Sequence, residues 1–399
     1  MKLIEFKEFN RDDIVQTINK KKVAITICVS IILVIILIFV LLYVYNKDFR
    51  KWADVNVLMK VVSEGTLSSI EIDKNENMSI CAYDKYIAIA NGNKLEIYNS
   101  SAKRVASHDI NVSNPIFDTN GKYLVIGDKG RQKIYLISGT RVIWENDIEG
   151  IVSRVSVNES GYVSVVYTGS TYKSIVCAYN NSGNQLFRTY IPNNTVIDST
   201  ISSDNKYLSF AEINTSKTTI ESTIKTISIK DAISGAKKTV ISTYNMESNT
   251  LVTNLKYQGS KNLICMCESG IYSLSEGNMS QLMNFGESGK KYSFAGIDLT
   301  NGVYEVEEYS DGISNQCSNI VIQNTATKKQ HMFSINGITK ETSSSGDNIA
   351  INLGTEIYFM NSRGWLIKQY KASQEVKKVL TSDRLAAIVF RDKIEILIL

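Results

Sequence analysis

The residue types that most often carry chemistry are thinly spread in this sequence. Its two histidines, His108 and His331, lie far apart, so neither a His-rich metal centre nor a Ser-His-Asp triad has its parts in one stretch. Cys265-Met266-Cys267 holds the closest pair of thiols. That spacing suits a soft metal or a redox couple, but alternate residues of a strand share a face, and two small buried hydrophobes on one side of a sheet fit it as well. Cys28 falls in an apolar run. The other five cysteines, Cys81, Cys177, Cys265, Cys267 and Cys317, are odd in number and irregularly spaced, unlike a disulfide framework. The run GESGKK at 286–291 lacks the first glycine of a phosphate loop and ends in Lys rather than Ser or Thr. The Asp-Gly at 311–312 lacks the alternating oxygen ligands of a calcium loop. Glu307 and Glu308 are adjacent in a strand-like run and point to opposite faces, so they form no acid–base couple. Neither His-Glu-x-x-His nor Gly-x-Ser-x-Gly occurs. These residues nominate no catalytic group, no cofactor ligand and no metal ligand.

The elements that would position any site are easier to read. Val23–Tyr45 is 23 residues without a charge. As a helix it spans about 34 Å, enough for a hydrocarbon core of about 30 Å, and Tyr43 and Tyr45 sit at one end, where amphipathic rings favour the interface. The run is too long for the core of a signal peptide, and no small-x-small cleavage site follows it. Six Lys or Arg precede it and four fall within the next twenty residues. This bias places residues 1–22 as a cytoplasmic tail and the large C-terminal part outside, with a cytoplasm-facing domain as the alternative. Ile4, Phe6, Phe9, Ile14, Val15 and Ile18 among charges fit either a short amphipathic helix on the inner surface or a solvated tail. Residues 46–65 read as a linker. The net charge of +4 on 399 residues argues against nucleic acid.

From about residue 66 onward helical periodicity is scarce. Short apolar runs rich in Ile, Val, Tyr and Leu alternate with Asn, Gly, Ser, Asp and Lys, which is the pattern of strands bounded by turns. One hairpin wording recurs, as in YIAIANGNKLEIY, YLVIGDKGRQKIYLIS and YLSFAEI. Eight such hairpins begin near Tyr86, Tyr123, Tyr162, Tyr207, Leu263, Val303, Ile349 and Leu385. A period of about 40 residues with room for four strands predicts an all-β fold, a β-propeller of eight blades, or seven if a weak fifth or sixth hairpin is absorbed elsewhere. The last hairpin ends at Leu399 and lacks an outer strand, while residues 67–72 are a surplus strand before the first. The ring, residues 66–399, is therefore expected to close by pairing 67–72 with 393–397, and deletion of the last ten residues should abolish its cooperative thermal melt.

The Gly turns followed by aromatic or apolar strands, SGTRVIW above all, resemble quinoprotein-like (PQQ-like) and WD40-type propeller repeats. A single span ahead of such a ring is similar to a clostridial membrane family carried as a domain of unknown function. The resemblance implies the fold. It departs from the better-known patterns because no regular Trp-Asp dipeptide occurs and the Gly…Trp spacing is clean only at Trp144. Trp52 falls in the linker, and Trp144 and Trp365 in outer-strand positions, so no stacking residue for a quinone is placed and no cofactor is expected.

The functional expectation is a membrane-anchored, extracytoplasmic, non-catalytic binding or scaffold module for a protein or an envelope polymer. The alternatives are an enzyme whose site assembles at the central channel and a cytoplasm-facing scaffold. Carboxylates, His or Arg gathered at the ring axis would favour the enzyme, and an axis of Ser, Thr and apolar groups would count against it. Propellers also bind through loops joining their middle strands. The longest of these nominate Asp128, Lys129, Arg131, Tyr172 and Lys173 as rim residues.

Overall fold

The computed structural model describes residues 20–46, 49–50, 53, 57, 61–73, 78–216, 219–287, 289, 291–311 and 315–399. The tail reading for residues 1–19, Trp52 and much of the expected linker lie outside them. The chain divides into two units, residues 1–60 and 61–399. In the first, a helix runs over Lys20–Tyr45. Its stretch Val23–Tyr45 is long and apolar enough to cross a membrane, with a mean hydropathy of 3.5.

The second unit is an eight-bladed β-propeller. Eight antiparallel sheets follow one another along the chain, at 78–109, 115–147, 151–191, 195–245, 252–284, 291–336, 341–371 and 378–398, and these are called blades 1 to 8. Within blades 1 to 7 the strands lie in chain order from the innermost to the outermost. The outer strand of blade 8 is Ser68–Glu71, antiparallel to Lys393–Ile398, with Ile70 opposite Ile394. The two-residue strand Val62–Ser63 pairs in parallel with Leu366–Lys371 and gives blade 7 a fifth strand. Part of the stretch read as linker thus belongs to the ring. A polar network holds this corner. The fully buried Glu395 accepts bonds from the Tyr370 hydroxyl (2.8 Å), the Gly65 N–H (2.9 Å) and Lys393 Nζ (2.7 Å). Lys393 also reaches Glu64 (2.8 Å).

Blade 2 explains why these sequences read as unbroken apolar runs. Its middle strands, Tyr123–Asp128 and Lys133–Ser138, are buried on both faces. Leu124, Ile126 and Ile137 pack towards blade 1, whereas Val125, Ile134 and Leu136 pack towards blade 3. Each such side chain contributes about 1.5–3 kcal/mol on burial. A sheet with two covered faces needs no polar alternation.

Outer strands carry a repeated device. In blades 1 to 4 and 7 the ladder shifts by one residue near the start of the outer strand. Such bulges twist an edge away from further pairing. The residue just after the shift faces the next blade's interface: Trp144 in blade 2, Phe187 in blade 3 and Ser242 in blade 4. The long interval between the fourth and fifth hairpins holds a short helix, Ile229–Ile233, capped by the Ser228 side chain.

Candidate functional site

An innermost strand pairs on one side only, so its other edge presents backbone N–H groups to the ring axis, where each needs an acceptor. Aspartates supply several. Asp118, in the inner strand Pro115–Asn120, accepts the N–H of Val157 from blade 3 through Oδ2 at 2.8 Å. Asp198, in Thr195–Ile201, accepts the N–H of Leu255 from blade 5 at 2.8 Å and that of Ser199 at 3.0 Å. Blades 7 and 8 use Ser343 Oγ for the Thr381 N–H (3.0 Å) and Glu341 for the Val379 N–H (2.9 Å). These contacts stitch one blade to another at the axis.

The inner strands of blades 3 to 6 also carry a one-residue register shift near their starts. Arg154 and Asp198 both follow directly on such a shift and meet across blades, with Arg154 Nε 3.3 Å from Asp198 Oδ1. Lys256 of blade 5 lies 3.0 Å from Asp298. Together with Asp118 and Asp383 these residues line a cavity of ≈ 450 Å³. The lining therefore gathers four aspartates, Glu159, an arginine and a lysine.

Their protonation follows from burial and neighbours. Burial pushes the Asp198 carboxyl up to about 6, against the pull of Arg154 and the Leu255 N–H. Burial also raises Asp118, with Lys256 and the Val157 N–H opposing it. Asp383 is raised by burial and by Asp84, and Lys256 and Arg384 oppose. For Lys256, burial disfavours the charge, but the Asp298 and Asp118 carboxylates outweigh it and hold its pKa above the ordinary lysine value. The result is an ion-paired lining. At about 6, Asp198 can exchange a proton near neutral pH. The lining contains neither histidine nor cysteine. Among the described residues, no three His, Cys, Asp or Glu side chains come together as a metal site.

The nominated rim residues lie elsewhere. Asp128 is buried and accepts the N–H groups of Ser113 (3.1 Å) and Asn114 (2.8 Å), so its carboxylate holds its own loop in place. Lys129 and Arg131 are exposed beside it. That loop is tied to blade 3 by Gly130 N–H to Val152 O (3.0 Å) and Val152 N–H to Arg131 O (2.8 Å). Tyr172 is half-buried against Tyr190, with ring centroids 4.7 Å apart, and Lys173 Nζ lies 3.3 Å from Thr215 Oγ1. Asp128, Lys129 and Arg131 share one loop of blade 2, and Tyr172 and Lys173 share one of blade 3. None of the five lines the channel. His108 bonds the Thr140 carbonyl (2.8 Å) on an outer strand. Cys265 and Cys267 share one face of a strand as buried free thiols, Sγ to Sγ 3.5 Å.

Sequence reading missed the channel residues: Asp118 pairs with Val125 and Asp198 with Ala211, so the two aspartates stand at different points of their inner strands.

An eight-bladed propeller with a charged, ion-paired axis is thus the class of protein that fold and channel define. Among solved structures it is similar to the C-terminal WD40 domain of Sif2, at 12% identity and a TM-score of 0.54 over 83% of this chain and 98% of that one. Sqt1 of Chaetomium thermophilum is similar at 10% identity and a TM-score of 0.52, again over 83% and 98%. BamB of Moraxella catarrhalis matches at 10% identity and a TM-score of 0.45 over 83% and 98%. At such identities the likeness is one of fold. No curated protein matches the chain by sequence. The chain belongs to the family of unknown function DUF5711, whose family model matches residues 60–399.

Proposed function

We propose that this chain is a membrane-anchored propeller that acts outside a bacterial cell as a non-catalytic binding module for a protein or an envelope polymer. One observation carries the reading: Asp198 and Arg154, and Lys256 and Asp298, are paired with each other, and Asp118 and Asp198 hold backbone N–H groups. Side chains so engaged serve the ring itself, which leaves the outer surface and its loops for recognition. The apolar helix ahead of the ring and the lysines before it support anchoring with the ring outside. Added protease should digest residues 61–399 on intact protoplasts, and cross-linking in membranes should capture a partner. A protected ring overturns the outside orientation. A ring that turns over a cell-wall fragment overturns the non-catalytic reading.

The gathering of four aspartates with Arg154 and Lys256 is the axis composition that favours the enzyme alternative, and it supports a second reading, a small-molecule site, catalytic or binding, in the channel. Under it, Lys256→Met abolishes ligand-induced thermal stabilisation while partner capture persists. Under the first reading, Lys256→Met leaves capture intact and no channel ligand is found.

A further inference from the structure

The junction between blades 4 and 5 contains a cavity of ≈ 320 Å³, whereas Trp144 packs into the junction between blades 2 and 3, and the ladder registers identify the difference. In blade 2, the row facing blade 3 is Val125, Leu136 and Trp144. In blade 4, the positions with the same pairing are Ser209, Thr226 and Ser242. Three apolar side chains, one an indole, are replaced by three hydroxyls. Across the interface, Trp144 packs on Tyr179 of blade 3, ring centroids 5.9 Å apart, and under the Gly183 turn. The residue of blade 5 that pairs as Tyr179 does is Leu274. Both members of the aromatic pair are therefore missing at the 4–5 junction, and the space they occupy elsewhere is open. It lies at the low end of the volumes of ligand pockets, about 300–1,000 Å³.

The walls say what fits. Tyr207, Tyr244 and Tyr257 contribute aromatic rings, with Leu263 and Leu274 between them. Two of the hydroxyls are already engaged: Tyr244 accepts the Gly277 N–H (3.0 Å), and Tyr257 bonds Ser209 (2.7 Å). Ser209 in turn bonds Thr226 (2.8 Å). The Trp144 indole N–H has no hydrogen-bond partner in its apolar slot, whereas the open slot has the Ser242 hydroxyl in its wall. An exposed ion pair, Lys261 and Glu276 at 2.9 Å, stands among the lining residues.

We propose that this cavity receives an aromatic side chain of a partner protein, an indole or phenol bearing a hydrogen-bond donor, in the way the interface of blades 2 and 3 receives Trp144. The proposal rests on the binding-module reading and gives it a location. A side chain is favoured as the source because the equivalent slots are filled by side chains projected from a strand edge, Trp144 in blade 2 and Phe187 in blade 3.

The test titrates the full-length protein in detergent with N-acetyl-tryptophanamide and with free indole, read by calorimetry. The expected result is saturable binding of the amide, weakened at least tenfold in Ser242→Trp, which refills the slot from inside. Ser242→Phe, which copies blade 3, serves if Ser242→Trp does not fold. Absence of saturable binding to the parent protein overturns the site, as does unchanged affinity in a folded filled variant. Binding of indole with exclusion of the amide overturns the partner assignment in favour of a free aromatic molecule. A partner that cross-links equally well to parent and filled variant leaves the binding module standing and removes this site from it.

Discussion

The junctions between blades 2 and 3 and between blades 4 and 5 solve the same problem to different depths. At the axis they agree: Asp118 and Asp198 each pin a backbone N–H of the neighbouring blade at 2.8 Å. Farther out they diverge. The first is closed by Trp144, Tyr179 and a glycine turn, whereas the second replaces Trp144 by Ser242 and leaves a cavity. The comparison teaches that ring closure constrains the inner edge, where unpaired N–H groups demand acceptors. The outer part of an interface can be emptied, because strand ladders and neighbouring clusters still hold the blades.

The sharpest way to break this comparison is to empty the filled junction. Trp144→Ala should cost about 3–5 kcal/mol, as large aromatic deletions in cores do, measured by urea unfolding. A loss under 1 kcal/mol would mean that the outer slot is energetically idle at both junctions. The next test concerns the inner clamp. A raised carboxyl pKa in the folded state favours the protonated form, so its contribution to stability is complete below the unfolded value of about 3.9. That contribution is lost as pH rises through the folded value of about 6. Relative to Asp198→Asn, the parent should therefore lose about 2 kcal/mol between pH 4 and pH 6. Parallel stability curves would remove the buried clamp from the account.

Two glycine substitutions separate backbone strain from packing. Gly183 and Gly277 have nearly the same φ, +82° and +85°. A methyl group on Gly183 would meet Trp144 Cγ at 2.7 Å, and one on Gly277 would meet open space. Gly277→Ala should cost about 1–2 kcal/mol for the left-handed backbone. Gly183→Ala should cost about 1–3 kcal/mol more through overpacking, with thermal melts of both variants providing the difference. Equal costs would mean that the indole yields freely. The smallest effect is the reverse experiment: Ser242→Trp should stabilise the ring by about 0.5–2 kcal/mol if the slot accepts the indole without strain, seen as a rise in Tm.

Much of the architecture was legible because its cause is local and repeated. YLVIGD and KIYLIS must bury both faces, and the same demand recurs about every 40 residues, so the blades could be counted. The apolar helix was legible from composition. The helix Ile229–Ile233 was hidden because it replaces a turn with residues that carry no clear periodicity. The channel was hidden for another reason. Asp118, Arg154, Asp198 and Lys256 are isolated polar residues in four separate inner strands, and only closure of the ring assembles them. The rim residues were chosen for loop length, and Asp128 among them is a buried clamp on Ser113 and Asn114. Loop length carries no information about which side chain folds back on its own backbone.

What the sequence by itself determined is the repeating unit: strand, turn, strand, with apolar residues on both faces and glycine where a turn needs positive φ. Local propensity and burial operate within each hairpin, so the signal survives without contacts distant in sequence. What tertiary structure alone decided is the register of one blade against the next. That register brings Arg154 to Asp198 and Lys256 to Asp298, and it makes Trp144 and Ser242 two occupants of the same position, while ring closure pairs Ser69 with Glu395 inside blade 8. A position acquires that meaning only when equivalent strands face equivalent neighbours, and the closed ring supplies them.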